Sequence, residues 1–160
     1  MEPRITNPAM SVPGAMEALQ KLASAARATG VPATTLLLVE VRASQINGCS
    51  VCLDMHTREM KASGESDTRV SMVGAWREAP YFNDAERAAL ALTEAATRLA
   101  DRSDPVPDEV WEEAARHYDE PQLAGLVLAI AGINTWNRIN ATTRQITGDW
   151  VEQLISQPAH

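Results

Sequence analysis

The chain has 160 residues, a length that predicts one domain able to bury its core without disulfide or metal staples. Its 21 Asp and Glu outnumber 14 Lys and Arg, and a formal net charge of −7 argues against a nucleic-acid partner. Hydrophobic residues at 45% exclude a disordered chain, while only 4% aromatics leave an Ala-, Leu- and Val-rich mixture that favours helices.

Residues 1–12 read as an irregular arm broken by Pro3 and Pro8, ahead of a helical domain over 13–155. The arm lacks the apolar core of a signal peptide, so a cytoplasmic location is expected. A first helix is predicted from Ser11 as N-cap to just before Gly30, with Met16, Leu19, Leu22 and Ala26 on its apolar stripe. A second runs from Pro32 to about Ile46. Its run Leu36-Leu37-Leu38-Val39 alone could be a buried strand, but the flanking Ala33, Glu40, Arg42 and Ala43 favour helix. After the turn dipeptide Asn47-Gly48, a third helix spans Cys49 to Ser63, stopped by Gly64. Ser66 caps a fourth, carrying Val70, Val73 and Trp76 and ending before Pro80. Asn83 and Glu86 form a capping-box pattern for a fifth, with Leu90, Leu92, Ala95 and Leu99 on its apolar side. A polar loop over 101–107 precedes a short sixth helix, Asp108 to His117. Asp119 caps a long seventh from Glu120 to about Ile146, and 149–155 adds a last turn. The apolar stretch Leu123–Ile133 within it is too short to span a bilayer, so no membrane partner is expected. The fold class is therefore all-α, with about six or seven helices.

In a reducing compartment, Cys49 and Cys52 do not serve as a permanent staple, and the loop they enclose is too small to stabilise a fold by chain entropy. Helical residues advance by about 100° each, which brings Cys49, Cys52 and His56 onto one face within roughly 60°. The pattern C-x-x-C-x-x-x-H is thus a cluster in space, with His56 one turn beyond Cys52 and able to exchange a proton with it. Cys49 lies at the helix N-terminus, where the dipole and free N–H groups favour thiolate. Two blander readings compete with redox chemistry. The cysteines could be small buried hydrophobes. They could also join His56 as zinc ligands, but a fourth ligand would have to come from His117 or Asp54, and no metal is expected. No phosphate loop, flavin or nicotinamide signature appears, and no cofactor is expected.

The stretch Arg42-Ala43-Ser44-Gln45-Ile46-Asn47-Gly48-Cys49-Ser50-Val51-Cys52-Leu53-Asp54-Met55-His56-Thr57 resembles the signature of the AhpD-like alkylhydroperoxidases, part of the carboxymuconolactone decarboxylase superfamily. The likeness continues through Ala75-Trp76-Arg77-Glu78, Glu86-Arg87-Ala88-Ala89-Leu90, Thr93-Glu94-Ala95 and Ile133-Asn134-Thr135-Trp136-Asn137-Arg138-Ile139-Asn140. It covers most of the chain from about residue 15 to 146. The resemblance implies an all-helical fold that assembles as homo-oligomers, commonly trimers or hexamers. It implies reduction of a small hydroperoxide, with Cys52 as the attacking thiol, Cys49 resolving its sulfenic acid into a disulfide, and His56 moving the proton. A dithiol, lipoyl-type in the best-known members, would restore the reduced pair. Helix-dipole reasoning alone would instead make Cys49 the lower-pKa thiol.

The sequence departs from the pattern at one telling place. The usual relay Glu stands twelve residues before the first cysteine, where this chain has Leu37. Glu40 lies about 60° away on the same helix and one turn nearer the cysteines, and is the expected substitute, set against a plainer reading as a solvated surface charge beside Arg42. Glu94, amid Ala and Leu, is a second candidate, either a buried acid needing a partner or a simple surface residue. If the relay is weakened, the alternative is a general thiol–disulfide oxidoreductase or redox-sensing protein with little peroxidase activity. The tryptophans read as packing anchors, and Asn134, Asn137, Arg138 and Asn140 as helix–helix hydrogen-bonding groups or an oligomer seam.

Overall fold

The run Leu36–Val39, the one place where a strand competed, lies inside a helix. The computed structural model describes residues 2–100 and 102–155, and these contain nine α-helices, one 3₁₀ turn and no strand. In order they are α1 (Pro8–Ser11), α2 (Ala15–Arg27), α3 (Ala33–Asn47), α4 (Ser50–Ala62), α5 (Asp67–Met72), the 3₁₀ turn Val73–Ala75, α6 (Asp84–Thr97), α7 (Asp108–His117), α8 (Glu120–Thr143) and α9 (Trp150–Ile155). No helix among the described residues is long and apolar enough to cross a membrane.

Helix α3 is apolar on nearly every side, with Leu36, Leu38, Val39, Val41 and Ala43 all buried, and this forces it into the centre. It packs against α4, α6 and α8, while α2 lies on α8, α7 on α6 and α9 on α4. One core gathers Val31, Leu36, Val39, Leu92, Leu126 and Ile130. A second, on the other side of α3, gathers Leu38, Val41, Met60, Val73, Trp76 and Leu90, with Leu37 packed against it. Gly125 lets α8 close on the end of α2, because a Cβ there would collide with the Thr29 side chain.

Capping explains most of the boundaries. Asn83 with Glu86 and Asp119 with Gln122 both close reciprocal capping boxes, and Ser66 accepts from the Arg69 N–H. Four boundaries differ from the sequence reading. Ser11 does not cap the first long helix; it ends a single turn, α1, that Asn7 caps and Pro8 opens, within the arm read as irregular. Val12 before Pro13 is then extended, as proline demands of its predecessor, and α2 begins after Gly14. The fourth helix tightens to 3₁₀ at Val73 before reaching Trp76. The fifth ends at Thr97, leaving Leu99 exposed, and α8 ends at Thr143, where Arg144 turns left-handed with φ 54° and the Gln145 N–H returns to the Asn140 carbonyl. His160 lies outside the described residues.

Candidate functional site

A single break separates α3 from α4. Gly48 takes φ 65°, a conformation that glycine alone adopts freely, and the Cys49 N–H folds back onto the Ser44 carbonyl at 3.1 Å. Cys49 then becomes the N-cap of α4, its sulfur accepting the Cys52 N–H at 3.4 Å in the place where a Ser or Asp oxygen usually sits. Both cysteines are buried, at 2% and 1% exposure, against Ala43, Val51, Ile133 and Trp136. The thiol of Cys49 is pulled down to about 6, chiefly by its hydrogen bond with the Cys52 side chain; burial opposes this, while the Cys52 N–H and the amides of Asn140 and Asn137 add to it. Cys52 is pushed up, by that same bond with Cys49, by burial and by the Cys49 charge. The pair therefore gives up one proton readily and holds the second.

His56 sits one turn further along α4, buried at 5% exposure. Its Nδ1 lies 2.8 Å from Glu59 Oε2 and 3.3 Å from Glu40 Oε2, and Glu40 Oε1 in turn lies 3.5 Å from the Arg27 guanidinium. Burial works against a charged imidazole, but the two carboxylates outweigh it and His56 titrates above its ordinary value. Burial likewise raises the Glu59 carboxyl, and its bond to His56 brings it below the usual range. Glu40, His56 and Glu59 bring one donor atom each within 4.8 Å of one another, the donor set of a small metal triad. The zinc set considered from sequence is not assembled: His117 pairs with Glu113 at 3.1 Å, and Asp54 is taken up by Arg58 and Thr147.

Cys52, His56, Glu40 and Glu59 line a cavity of about 620 Å³ together with apolar residues that include Met16, Leu19, Ile133 and Trp136. Cys49 does not line it. Behind the cysteines, Asn47 donates to Asn134 and Asn137 at 2.9 and 2.8 Å, and Asn137 donates to Ser44 at 3.1 Å, tying the turn to α8. Asn140 donates to Cys52 Sγ at 3.3 Å.

Of the residues singled out from sequence, Cys52, His56 and Glu40 line the cavity, and Cys49 lies behind it against Cys52. Glu94 does not join them. It is buried 52 residues away in sequence from Arg42, whose Nε donates to it at 2.8 Å, and it also takes the Trp76 indole N–H at 2.9 Å and ion-pairs with Arg77. Burial raises its carboxyl, yet these donors hold it at about 2. Sequence reasoning missed Glu59, which the i, i+3 spacing from His56 signals. It also missed Arg27, which only tertiary packing brings near.

A model of the carboxymuconolactone decarboxylase family matches residues 13–95. The chain belongs to that family. It is 38% identical over 128 residues to the uncharacterized protein YdfG of Bacillus subtilis, a match spanning 80% of this chain and 86% of that one. It is also 31% identical over 104 residues to the uncharacterized protein YnjA of Escherichia coli, a match spanning 65% of this chain and 56% of that one. The carboxymuconolactone decarboxylase fold recurs in a crystal structure from Agrobacterium tumefaciens of a protein of unknown function for which AhpD-type antioxidant defence has been suggested. That chain is 33% identical, with a TM-score of 0.84 over 92% of this chain and 99% of its own. The debrominase Bmp8, in complex with 2,3,4-tribromopyrrole, shares the fold at TM-score 0.77 and 21% identity over 91% of this chain and 77% of its own.

Proposed function

We propose that this member of the carboxymuconolactone decarboxylase family is a thiol-dependent hydroperoxide reductase that cycles through a Cys49–Cys52 disulfide. The observation that carries the reading is the cavity that Cys52 lines together with an imidazole held between Glu40 and Glu59. At rest the cysteine pair carries one negative charge and His56 one proton. Transfer of the Cys52 proton to Cys49 frees the Cys52 thiolate, which attacks the terminal oxygen of ROOH and breaks the O–O bond. Cys52 becomes the sulfenic acid, and the departing alkoxide takes the His56 proton to leave as ROH. Neutral His56 then takes the proton from Cys49, whose thiolate displaces hydroxide from the sulfenic sulfur. That hydroxide recovers the proton from His56 and leaves as water. Two thiols and one hydroperoxide thus become a disulfide, an alcohol and water. A dithiol of lipoyl type restores the pair by exchange, in the reducing cytoplasm where such reductants are kept.

Glu40 replaces the relay carboxylate missing at Leu37, and Glu59 completes the clamp on His56. Assembly as a trimer or hexamer is part of the same reading: α8 leaves Ala124, Val127, Leu128 and Ala131 exposed in an apolar stripe at helical spacing. The test is steady-state consumption of cumene hydroperoxide with dihydrolipoamide as reductant. Turnover that vanishes in both Cys52→Ser and Cys49→Ser supports the reading. Dithiol exchange without peroxide turnover refutes it in favour of a general thiol–disulfide oxidoreductase.

A further inference from the structure

Asn140 has two amide orientations, and only one offers an N–H to the Cys52 sulfur. The other would point Oδ1 at it, and an acceptor has nothing to give a thiolate or a sulfenate. A chain of hydrogen bonds that begins in the N-terminal arm selects between them. Asn7 caps α1, and the Ala9 N–H reaches its side chain at 3.0 Å. An N–H can be accepted only by Oδ1, so the Asn7 amide is fixed with Nδ2 outward. That Nδ2 donates to Asn140 Oδ1 at 3.0 Å, which leaves the Asn140 Nδ2 directed at Cys52 Sγ, 3.3 Å away. Asn7 and Asn140 both line the cavity.

The arm is held in register by the end of α8. The Arg4 backbone N–H donates to the Thr143 carbonyl at 2.9 Å, the Arg4 guanidinium to the Thr142 carbonyl at 2.9 Å, and the Gln145 amide to the Ile5 carbonyl at 3.0 Å. The Thr142 and Thr143 carbonyls are among those that the end of α8 leaves free, and the arm uses them. We propose that Asn7 is a positioning residue for the reactive sulfur: by capping α1 it orients Asn140, and through Asn140 it aims a hydrogen-bond donor at Cys52. The inference rests on Cys52 being the thiol that reacts. The other ionisable groups around that sulfur are Cys49 beside it and, along the cavity, His56, Glu40, Glu59 and Arg27, all of them untouched by substitution at position 7.

The test is Asn7→Asp in the Cys49→Ser protein, read by the pH dependence of the Cys52 thiolate ultraviolet absorbance and of its alkylation. Aspartate still accepts the Ala9 N–H and keeps the cap, but it offers only acceptors to Asn140, whose amide must reverse. The thiolate titration is expected to move to higher pH, and alkylation near neutral pH to slow about tenfold, the size of a hydrogen bond to a charged group. The new carboxylate could also act through space, so the same change is made in the Asn140→Ala background. There the effect of Asn7→Asp should disappear. An equal shift in both backgrounds, or none in either, overturns the proposal. Because the readout is the thiol itself, a protein inert toward peroxides would still report the shift, so failure of the peroxidase reading is distinguishable from failure of this one.

Discussion

Replacing Glu94 with Ala removes the acceptor for the half-buried Arg42 guanidinium and the buried Trp76 indole N–H, and one ion-pair partner of Arg77. The carboxylate itself is buried at 7% exposure and Trp76 at 6%, so the indole N–H finds no water when the acceptor goes, while the half-buried Arg42 keeps, among the described residues, only Gln45 as a partner. Breaking one side of a buried pair costs about 3–5 kcal/mol, far more than the loss of an exposed one. For a domain of this size that corresponds to a fall in melting temperature of about 6–20 °C. Glu94→Gln keeps an oxygen for Trp76 and Arg42 and should lose less. The pH dependence follows from the carboxyl being held at about 2 in the fold, below its ordinary value. The stability Glu94 contributes is present above about pH 4.5 and is lost as pH falls toward 2. Thermal melts of the wild type and both variants between pH 7 and 3 provide the assay, with the gap between wild type and Glu94→Ala narrowing in acid. A loss under about 1 kcal/mol at neutral pH would refute the structural role. So would a folded Glu94→Gln protein that has lost only its thiol chemistry, because that would make Glu94 the relay acid after all.

Other consequences are open to equally direct measurement. In Glu40→Gln and Glu59→Gln the imidazole loses a facing carboxylate, so the His56 titration followed by NMR should move to lower pH in each variant. The sign for stability is the reverse of that for Glu94. Because His56 titrates above its unfolded value, the clamp stabilises fully below about pH 6.5 and is lost as pH rises through the folded pKa. In wild type, thiolate absorbance should rise with a midpoint near pH 6, as Cys49 gives up its proton, and Cys49→Ser should abolish that transition. Gly125→Ala should destabilise by about 1–3 kcal/mol in urea titration, since the new methyl meets the Thr29 side chain. Gly48→Ala should cost about 1–2 kcal/mol and slow disulfide formation, because the left-handed residue sets Cys49 on the cap of α4.

Local chemistry made much of this legible. The capping boxes at Asn83 and Asp119 and the glycine stops at Gly48 and Gly64 act within one turn of themselves, so their residues announce them. The same holds for Cys52 and His56, one turn apart on α4, and for Glu40 on α3, all three lining one cavity. Cys49, expected on the same helical face, is instead the extended N-cap before α4 and stays out of that cavity. Leu37 itself turns to the second core, consistent with its loss of charge. Glu59 was equally readable, three residues from His56, but nothing in sequence distinguishes it from a solvated charge until burial is known. Arg27 and Asn7 were beyond reach, since each meets the site through tertiary packing alone. The asparagines of α8 divide: Asn134 and Asn137 bond across helices as expected, while Asn140, three residues on, faces sulfur instead. Ser11 misled because Pro13, two residues later, forces the chain out of helix before a long one can begin.

The proposed function requires that Cys52 is the sulfur that meets the peroxide. Mass-spectrometric mapping of a sulfenic-acid trap, after one equivalent of cumene hydroperoxide is added to Cys49→Ser and to Cys52→Ser, tests it most directly. Label is expected on Cys52 in the first variant and none on Cys49 in the second. Label on Cys49 in the Cys52→Ser protein, with Cys52 left unmodified in the Cys49→Ser protein, would contradict it.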